Sequence, residues 1–283
     1  MESPRRIGRE SLANLMQHMD ATGDPDTIPT GFGSVDRVLG GGIRKRDCTV
    51  LGGDVGSGKS ALALAMALRI AARGESVVFV SGEMDEERLF ERALAIEGKK
   101  TVDQLRQGGL AEADRSAVGA AAVRLRDLPL VVYPIVGRTY DEVLDPVWAH
   151  NPAVVVVDYL QLMPPPNRTQ AVAEEAAHAL RALKATALAK RVAIVALAQL
   201  PNIDPTRPDP RPVLDDYGAL GAVKQHADVV LSLFREEMYV PDPTPVAGAA
   251  ELIISKNRNG ETGFVDLYFH RRWMRFEDML DPE

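Results

Sequence analysis

The sequence is poor in the residues that staple small or metal-built folds. It has one cysteine, Cys48, which excludes an internal disulfide and a zinc site built on cysteines. His18, His150, His178, His226 and His270 are scattered without ligand spacing, so no protein-bound structural metal is expected. No apolar run approaches the roughly 20 residues that cross a bilayer. The opening M-E-S-P-R-R-I-G-R-E has no apolar stretch behind its basic residues, so it does not read as a secretory leader. An excess of basic charge is also missing, with a net charge of −7 at pH 7. A surface that gripped nucleic acid everywhere would be basic, so any such contact must be local and made by loops. The expectation is a cytoplasmic protein with no membrane partner.

What is present is an ordinary globular balance, 283 residues with 46% hydrophobic and 26% charged. Residues 9 to 20 place Leu12, Leu15, Met16 and Met19 on one helical face, and the turn-rich A-T-G-D-P-D-T-I-P-T-G follows. That helix either packs on its own domain or buries its stripe on a neighbouring subunit. From residue 48, short apolar runs alternate with longer helical ones. Strands are predicted at Cys48 to Leu51, Val77 to Val80, Leu130 to Tyr133, Ala153 to Val157 and Val192 to Leu197, with helices over 59–73, 85–97 and 170–190. Strands apolar on both sides and alternating with helices indicate an α/β fold, a mainly parallel sheet covered on both faces. After residue 227 three closely spaced strand patterns predict an antiparallel extension. The division expected is a linker helix and turn segment over 1–28, a core over 29–276 and an acidic tail over 277–283.

The strongest chemical signal is G-D-V-G-S-G-K-S, formed by Gly53, Asp54, Val55, Gly56, Ser57, Gly58, Lys59 and Ser60. It fits the phosphate-loop pattern, with a strand before it and a helix after it. Glycines let backbone N–H groups turn inward on phosphate oxygens, and the helix N-terminus adds positive potential. Lys59 is placed to reach the β and γ phosphates of ATP, and Ser60 to ligate Mg²⁺. A carboxylate at a neighbouring strand tip is needed for the metal's water shell, and V-V-V-V-D supplies Asp158. In V-V-F-V-S-G-E-M, Glu83 lies just beyond another strand, where a base for the attacking water belongs. An acid in a helix's first turn is the alternative reading there. Gln199, just past a further apolar strand, is either a γ-phosphate sensor or a turn residue. In I-I-S-K-N-R-N-G, Lys256 and Arg258 are two residues apart, so on an extended chain they share a side.

Taken in order, I-P-T-G-F-G-S-V-D, the phosphate loop, S-G-E-M, V-V-D-Y-L-Q-L-M, L-A-Q-L, R-P-V-L-D-D, Q-H-A-D-V-V-L and K-N-R-N-G resemble the helicase domain of DnaB-type replicative helicases, within the RecA-like ATPases. The resemblance runs from about Thr30 to Phe276. It implies a RecA-like phosphate-loop core and a ring, most simply a hexamer. In that family the basic pair projects from one subunit onto the γ phosphate held by its neighbour, which would make Lys256 and Arg258 trans-acting fingers. It also implies 5′ to 3′ movement on single-stranded DNA, which threads the ring against loops after two of the strands.

The matching loops here are 163–170 and 205–221, with Arg168, Arg207 and Arg211 as the available cations. Many relatives carry R-E-S-G in the second loop. Here Gly218, Ala219, Leu220 and Gly221 stand in that place, so the arginine is missing. Gly218 and Gly221 would present backbone N–H groups to phosphate, with Lys224 one turn later. Replicative members also carry an N-terminal collar that meets primase. Only about 28 residues precede this core, so docking of primase through a collar is not assumed, and a loader or primase stays a partner class by resemblance alone. The phosphate-loop region is similar to the RadA/Sms recombination ATPases as well, but their cysteine finger is absent. The leading expectation is a minimal DnaB-like helicase. The alternatives are a recombination motor on branched DNA and a nucleotide-gated ring that does not grip DNA.

Overall fold

Runs such as V-V-V-V-D and A-I-V-A-L-A-Q offer no solvent face to a strand, because residues of both parities are apolar. The computed structural model describes residues 24–135, 140–162, 172–200, 203, 207–217, 221–239 and 247–279, and in it these runs form the middle of a sheet. A two-residue pair, β1 (Thr27–Ile28) and β2 (Ile43–Arg44), precedes it. The main sheet comprises β3 (Cys48–Gly53), β4 (Val77–Ser81), β5 (Leu130–Pro134), β6 (Val154–Asp158), β7 (Ala193–Gln199), β8 (Val229–Phe234), β9 (Ala249–Asn257), β10 (Gly263–His270) and β11 (Arg275–Asp278). Their order across it is β11-β10-β9-β8-β3-β7-β6-β4-β5. β8, β3, β7, β6, β4 and β5 run parallel.

The described helices are α1 (Gly33–Val38), α2 (Lys59–Ala71), α3 (Glu86–Gly98), α4 (Val102–Gln107), α5 (Glu112–Arg126), α6 (Tyr140–Val147), α7 (Val172–Lys190) and α8 (Gly221–His226). The two faces of the sheet bury separate cores. Val154 and Val156 pack with Leu62, Leu64 and Leu89 of α2 and α3. Val155 and Val157 pack with Val143, Leu180 and Leu183 of α6 and α7. Each such side chain contributes about 1.5–3 kcal/mol by leaving water, so both cores constrain the strand register.

Two expectations are corrected. The first C-terminal strand, β8, is antiparallel to β9 but parallel to β3, so the antiparallel part begins one strand later. The folded unit is wider than 29–276. Ile28 is buried in the core and pairs with Ile43, while Glu277 and Asp278 lie in β11 rather than in a tail. Asp278 accepts hydrogen bonds from the backbone N–H of Gly33 and Ser34 at 2.9 and 3.1 Å, capping the start of α1. Strand β9 continues through Asn257, so Lys256 lies inside it. Helices α4 and α5 and strand β11 were not anticipated. The proposed linker helix over residues 9 to 20 lies outside the described residues, and no described helix is long and apolar enough to cross a membrane.

Candidate active site

Parallel strands bring their C-terminal ends to one edge, and four adjacent strands of this sheet end in the residues singled out from sequence. Reading across β3, β7, β6 and β4, these are the phosphate loop, Gln199, Asp158 and, two residues past Ser81, Glu83. They line one cleft of about 290 Å³ together with Arg92, Tyr159 and Met274.

Gly53 closes β3, and Lys59 and Ser60 open α2. Gly58 caps that helix with φ +104°, a left-handed conformation that L side chains rarely adopt, and a Cβ there would lie 3.0 Å from the Phe276 ring. Val55 at the tip of the loop is exposed, whereas the Ser57 side chain is buried. Lys59 Nζ donates to the carbonyl of Asp54 at 2.7 Å. Burial draws the Lys59 ammonium below its ordinary pKa, against the opposing pull of Asp158, Asp54 and Glu83.

Asp158 is 2% exposed and is reached by the Ser60 hydroxyl, while its Oδ2 is buried with no hydrogen-bond partner. Burial pushes its carboxyl up to about 6; the Ser60 hydrogen bond pulls the other way and the Glu83 charge adds to the rise. A buried, under-satisfied oxygen beside a hydroxyl suits a hydrated divalent cation. The turn that carries Glu83 is fixed by its neighbours. Ser81 Oγ donates to the Met84 carbonyl at 2.7 Å, and the Gly82 N–H donates to the Asp158 carbonyl at 2.6 Å.

Gln199 ends β7, and its backbone is bracketed by the side-chain amide of Gln161, which donates from Nε2 to the Gln199 carbonyl at 2.9 Å. Sequence reasoning missed three further residues here. Arg235, directly after β8 and 3% exposed, donates from Nη1 to the carbonyls of Gly56 and Ser57 at 3.2 and 3.4 Å and is ion-paired with Glu237. Tyr239 donates to Asp54 Oδ2 at 3.1 Å, and Arg92 reaches the cleft from α3. For Arg235 a signal existed. A charge placed directly after an apolar strand singled out Asp158, and V-V-L-S-L-F-R has the same form. Among the described residues no group of three or more His, Cys, Asp or Glu could hold a metal unaided.

Lys256 and Arg258 are not in the cleft. Lys256 pairs with Val230 near the start of β8, level with Val50 of β3, whereas the phosphate loop leaves from Gly53 at the C-terminal end of that strand. Three steps of strand separate the two levels, on the order of 10 Å along the sheet. Both cations cap the C-terminal end of α8 instead. Lys256 Nζ donates to the carbonyls of Lys224 and Ala227, each at 2.6 Å. Arg258 donates to the Gln225 carbonyl at 2.7 Å and pairs with Asp228 at 3.2 Å. Desolvation, then the neighbouring Arg258 charge, lowers the Lys256 pKa.

Of the residues expected on DNA, Arg168 and Gly218 lie outside the described residues. Gly221 begins α8 and is exposed. The three described cations are all paired with carboxylates: Arg207 with Asp216 at 2.8 Å, Arg211 with Glu251 at 2.6 Å, and Lys224 with Asp215. Partly exposed pairs of this kind contribute about 0–1 kcal/mol, so a phosphate could exchange for the carboxylate.

Comparison with known proteins gives this arrangement its place. The family described as the DnaB-like helicase C-terminal domain matches residues 27–278. A replicative DNA helicase DnaB of Leifsonia xyli is 33% identical over 268 residues, covering 93% of this chain and 58% of its own. A replicative DNA helicase DnaC of Bacillus subtilis is 31% identical over 280 residues, covering 95% of this chain and 60% of its own. The chain thus spans about 60% of the length of these relatives. The solved ATPase domain of G40P superposes with a TM-score of 0.90 over 98% of this chain and 100% of its own, at 24% identity, which shows the fold. With nearly its whole length matched, the chain belongs to the DnaB-like helicase C-terminal domain family.

Proposed function

We propose that this chain is the motor of an ATP-driven helicase, a ring translocase on single-stranded DNA whose active sites lie between subunits. One observation carries the reading. Four neighbouring strand tips gather the phosphate loop, Gln199, Asp158 and Glu83, while the basic pair Lys256 and Arg258 sits at the opposite end of the same sheet. A cation pair that cannot reach its own phosphate loop fits a site completed by another copy of the chain. A hexamer and 5′ to 3′ movement are part of this proposal and rest on the family resemblance rather than on this geometry.

In this mechanism the N–H groups of residues 53–60 and Lys59 hold the ATP phosphates, and Arg235 straps the loop from behind through the Gly56 and Ser57 carbonyls. Ser60 and Asp158 would hold Mg²⁺, which neutralises developing phosphate charge when bound. Glu83 orients and deprotonates the attacking water, and Gln199 senses the γ phosphate, its backbone fixed by Gln161. Lys256 and Arg258 of the neighbouring copy supply charge to the transition state after leaving the helix end they now cap. Glu83→Gln should lower kcat by about 10²- to 10⁴-fold. Nucleotide binding, read by fluorescent-ATP titration, should stay near wild type. A wild-type turnover would remove Glu83 from this role.

A second reading is favoured by the paired state of Arg207, Arg211 and Lys224, a nucleotide-gated ring that no longer grips DNA. Steady-state ATPase rate with and without single-stranded oligonucleotide, at low salt and high subunit concentration, separates the two. Stimulation that fades with added salt is expected for the helicase. A rate indifferent to DNA would leave the nucleotide chemistry and favour the gated ring. The recombination alternative shares the same nucleotide site, and comparing forked with four-way DNA substrates would distinguish it.

A further inference from the structure

The short turn Leu214–Tyr217 carries three consecutive side chains with three different partners. Asp215 is ion-paired with Lys224, and Asp216 with Arg207 at 2.8 Å. Tyr217 points the other way, into the core, and is 1% exposed. Its hydroxyl lies 2.9 Å from Ser232 Oγ and donates to the Leu231 carbonyl at 3.3 Å, both on β8.

The ring covers Gly52, on the sheet face that α6 and α7 also cover. A Cβ on Gly52 would stand 2.0 Å from Tyr217 Oη and 2.5 Å from Cζ, so the tyrosine fills the space that a side chain at residue 52 would need. Gly52 is the residue before the phosphate loop. It pairs with Ser232 on one side and with Ala198, the residue before Gln199, on the other. Tyr217 therefore rests against the floor of the nucleotide site where the phosphate-binding and sensor strands meet. Close packing transmits a displacement here rather than absorbing it, because a glycine has no side chain to yield.

We propose that Tyr217 is a positioning residue that couples DNA at the second loop to the phosphate loop. The inference rests on the helicase reading. DNA phosphates that take Arg207 and Lys224 release Asp216 and Asp215 from their ion pairs. Both carboxylates belong to the turn that ends in Tyr217, so its freed backbone shifts the ring against Gly52. The departure from R-E-S-G in this loop is consistent with such a route, in which carboxylates next to Tyr217 report the presence of DNA.

The test is Tyr217→Phe in the full chain, which keeps the ring and removes the hydroxyl that ties it to β8. ATPase rate and amide hydrogen exchange over residues 49–58 are measured with and without oligo-dT, and DNA affinity by fluorescence anisotropy. Basal turnover and DNA affinity should persist, while DNA stimulation and the DNA-induced change in exchange are lost. Asp216→Asn should raise the DNA-free rate toward the stimulated one, a second readout should the phenylalanine variant fold poorly. If wild type responds to DNA and Tyr217→Phe responds equally, the coupling is wrong and the helicase reading stands. Loss of DNA affinity along with stimulation would also overturn it, since Tyr217 would then only shape the DNA loop. A wild type indifferent to DNA would remove the helicase reading itself and the coupling with it.

Discussion

Arg258→Ala loses ATP turnover by about 10³-fold or more, the scale of a removed arginine finger, while the protein still assembles and binds nucleotide. Lys256→Ala follows the same pattern. The fold survives because Arg258 is about half exposed, and Asp228 keeps Lys184 at 2.6 Å and the Cys48 N–H at 2.8 Å. A partly exposed ion pair is worth about 0–1 kcal/mol, too little to unfold the domain. Mixing makes the experiment specific. Lys59→Ala subunits have no working phosphate loop of their own but still offer intact fingers, whereas Arg258→Ala subunits have the converse defect. Mixed rings should regain turnover that neither variant shows alone, read in a coupled ATPase assay after co-refolding or subunit exchange. Failure of the mixture to recover any activity would end the idea of a shared site, as would wild-type turnover by assembled Arg258→Ala.

Asp158→Asn has two effects of opposite sign: Mg²⁺-dependent hydrolysis is lost, and the nucleotide-free protein becomes more stable at neutral pH. The reason is the raised carboxyl, about 6 in the fold against 3.8 when free. The folded chain then holds a proton that the unfolded chain releases first, so stability falls as pH rises from about 4 to about 6 and stays lower above that. A displacement of this size corresponds to on the order of 3 kcal/mol. Asparagine carries no titrating proton, so the variant lacks this fall. Urea unfolding of both proteins at pH 4.5, 5.5 and 7.0 without magnesium isolates the contribution, because other carboxylates cancel in the difference. Adding Mg²⁺ and nucleotide should narrow the gap by stabilising the ionised Asp158 of the wild type. A variant equally or less stable than wild type at pH 7 would mean that Asp158 does not resist ionisation in the fold.

The phosphate loop, Asp158 and Glu83 were legible because each is a local pattern. Glycine spacing, an acid after a buried strand and a strand-to-helix turn each carry their chemistry within about ten residues. The alternation of apolar strands and helices likewise identified the parallel sheet. Tyr239 and Tyr217 were not legible in this way, and for Arg235 the local pattern marked a strand end but not its partners, since each acts on residues some 165 to 185 positions earlier in the chain. The direction of β8 was missed for the same reason, because a strand's apolar pattern is the same whether its neighbour is parallel or antiparallel.

The sequence by itself determined the α/β class, the phosphate-loop pattern and the candidate residues around it, because those depend on local periodicity and on which side chains are present. Only the tertiary structure decided where they meet. It placed the phosphate loop, Gln199, Asp158 and Glu83 at one edge of the sheet and Lys256 and Arg258 toward the other, it paired Arg207, Arg211 and Lys224 with carboxylates, and it set Tyr217 against Gly52. Such placements follow from strand order and register, and those are fixed by burying two cores at once rather than by any short stretch of chain.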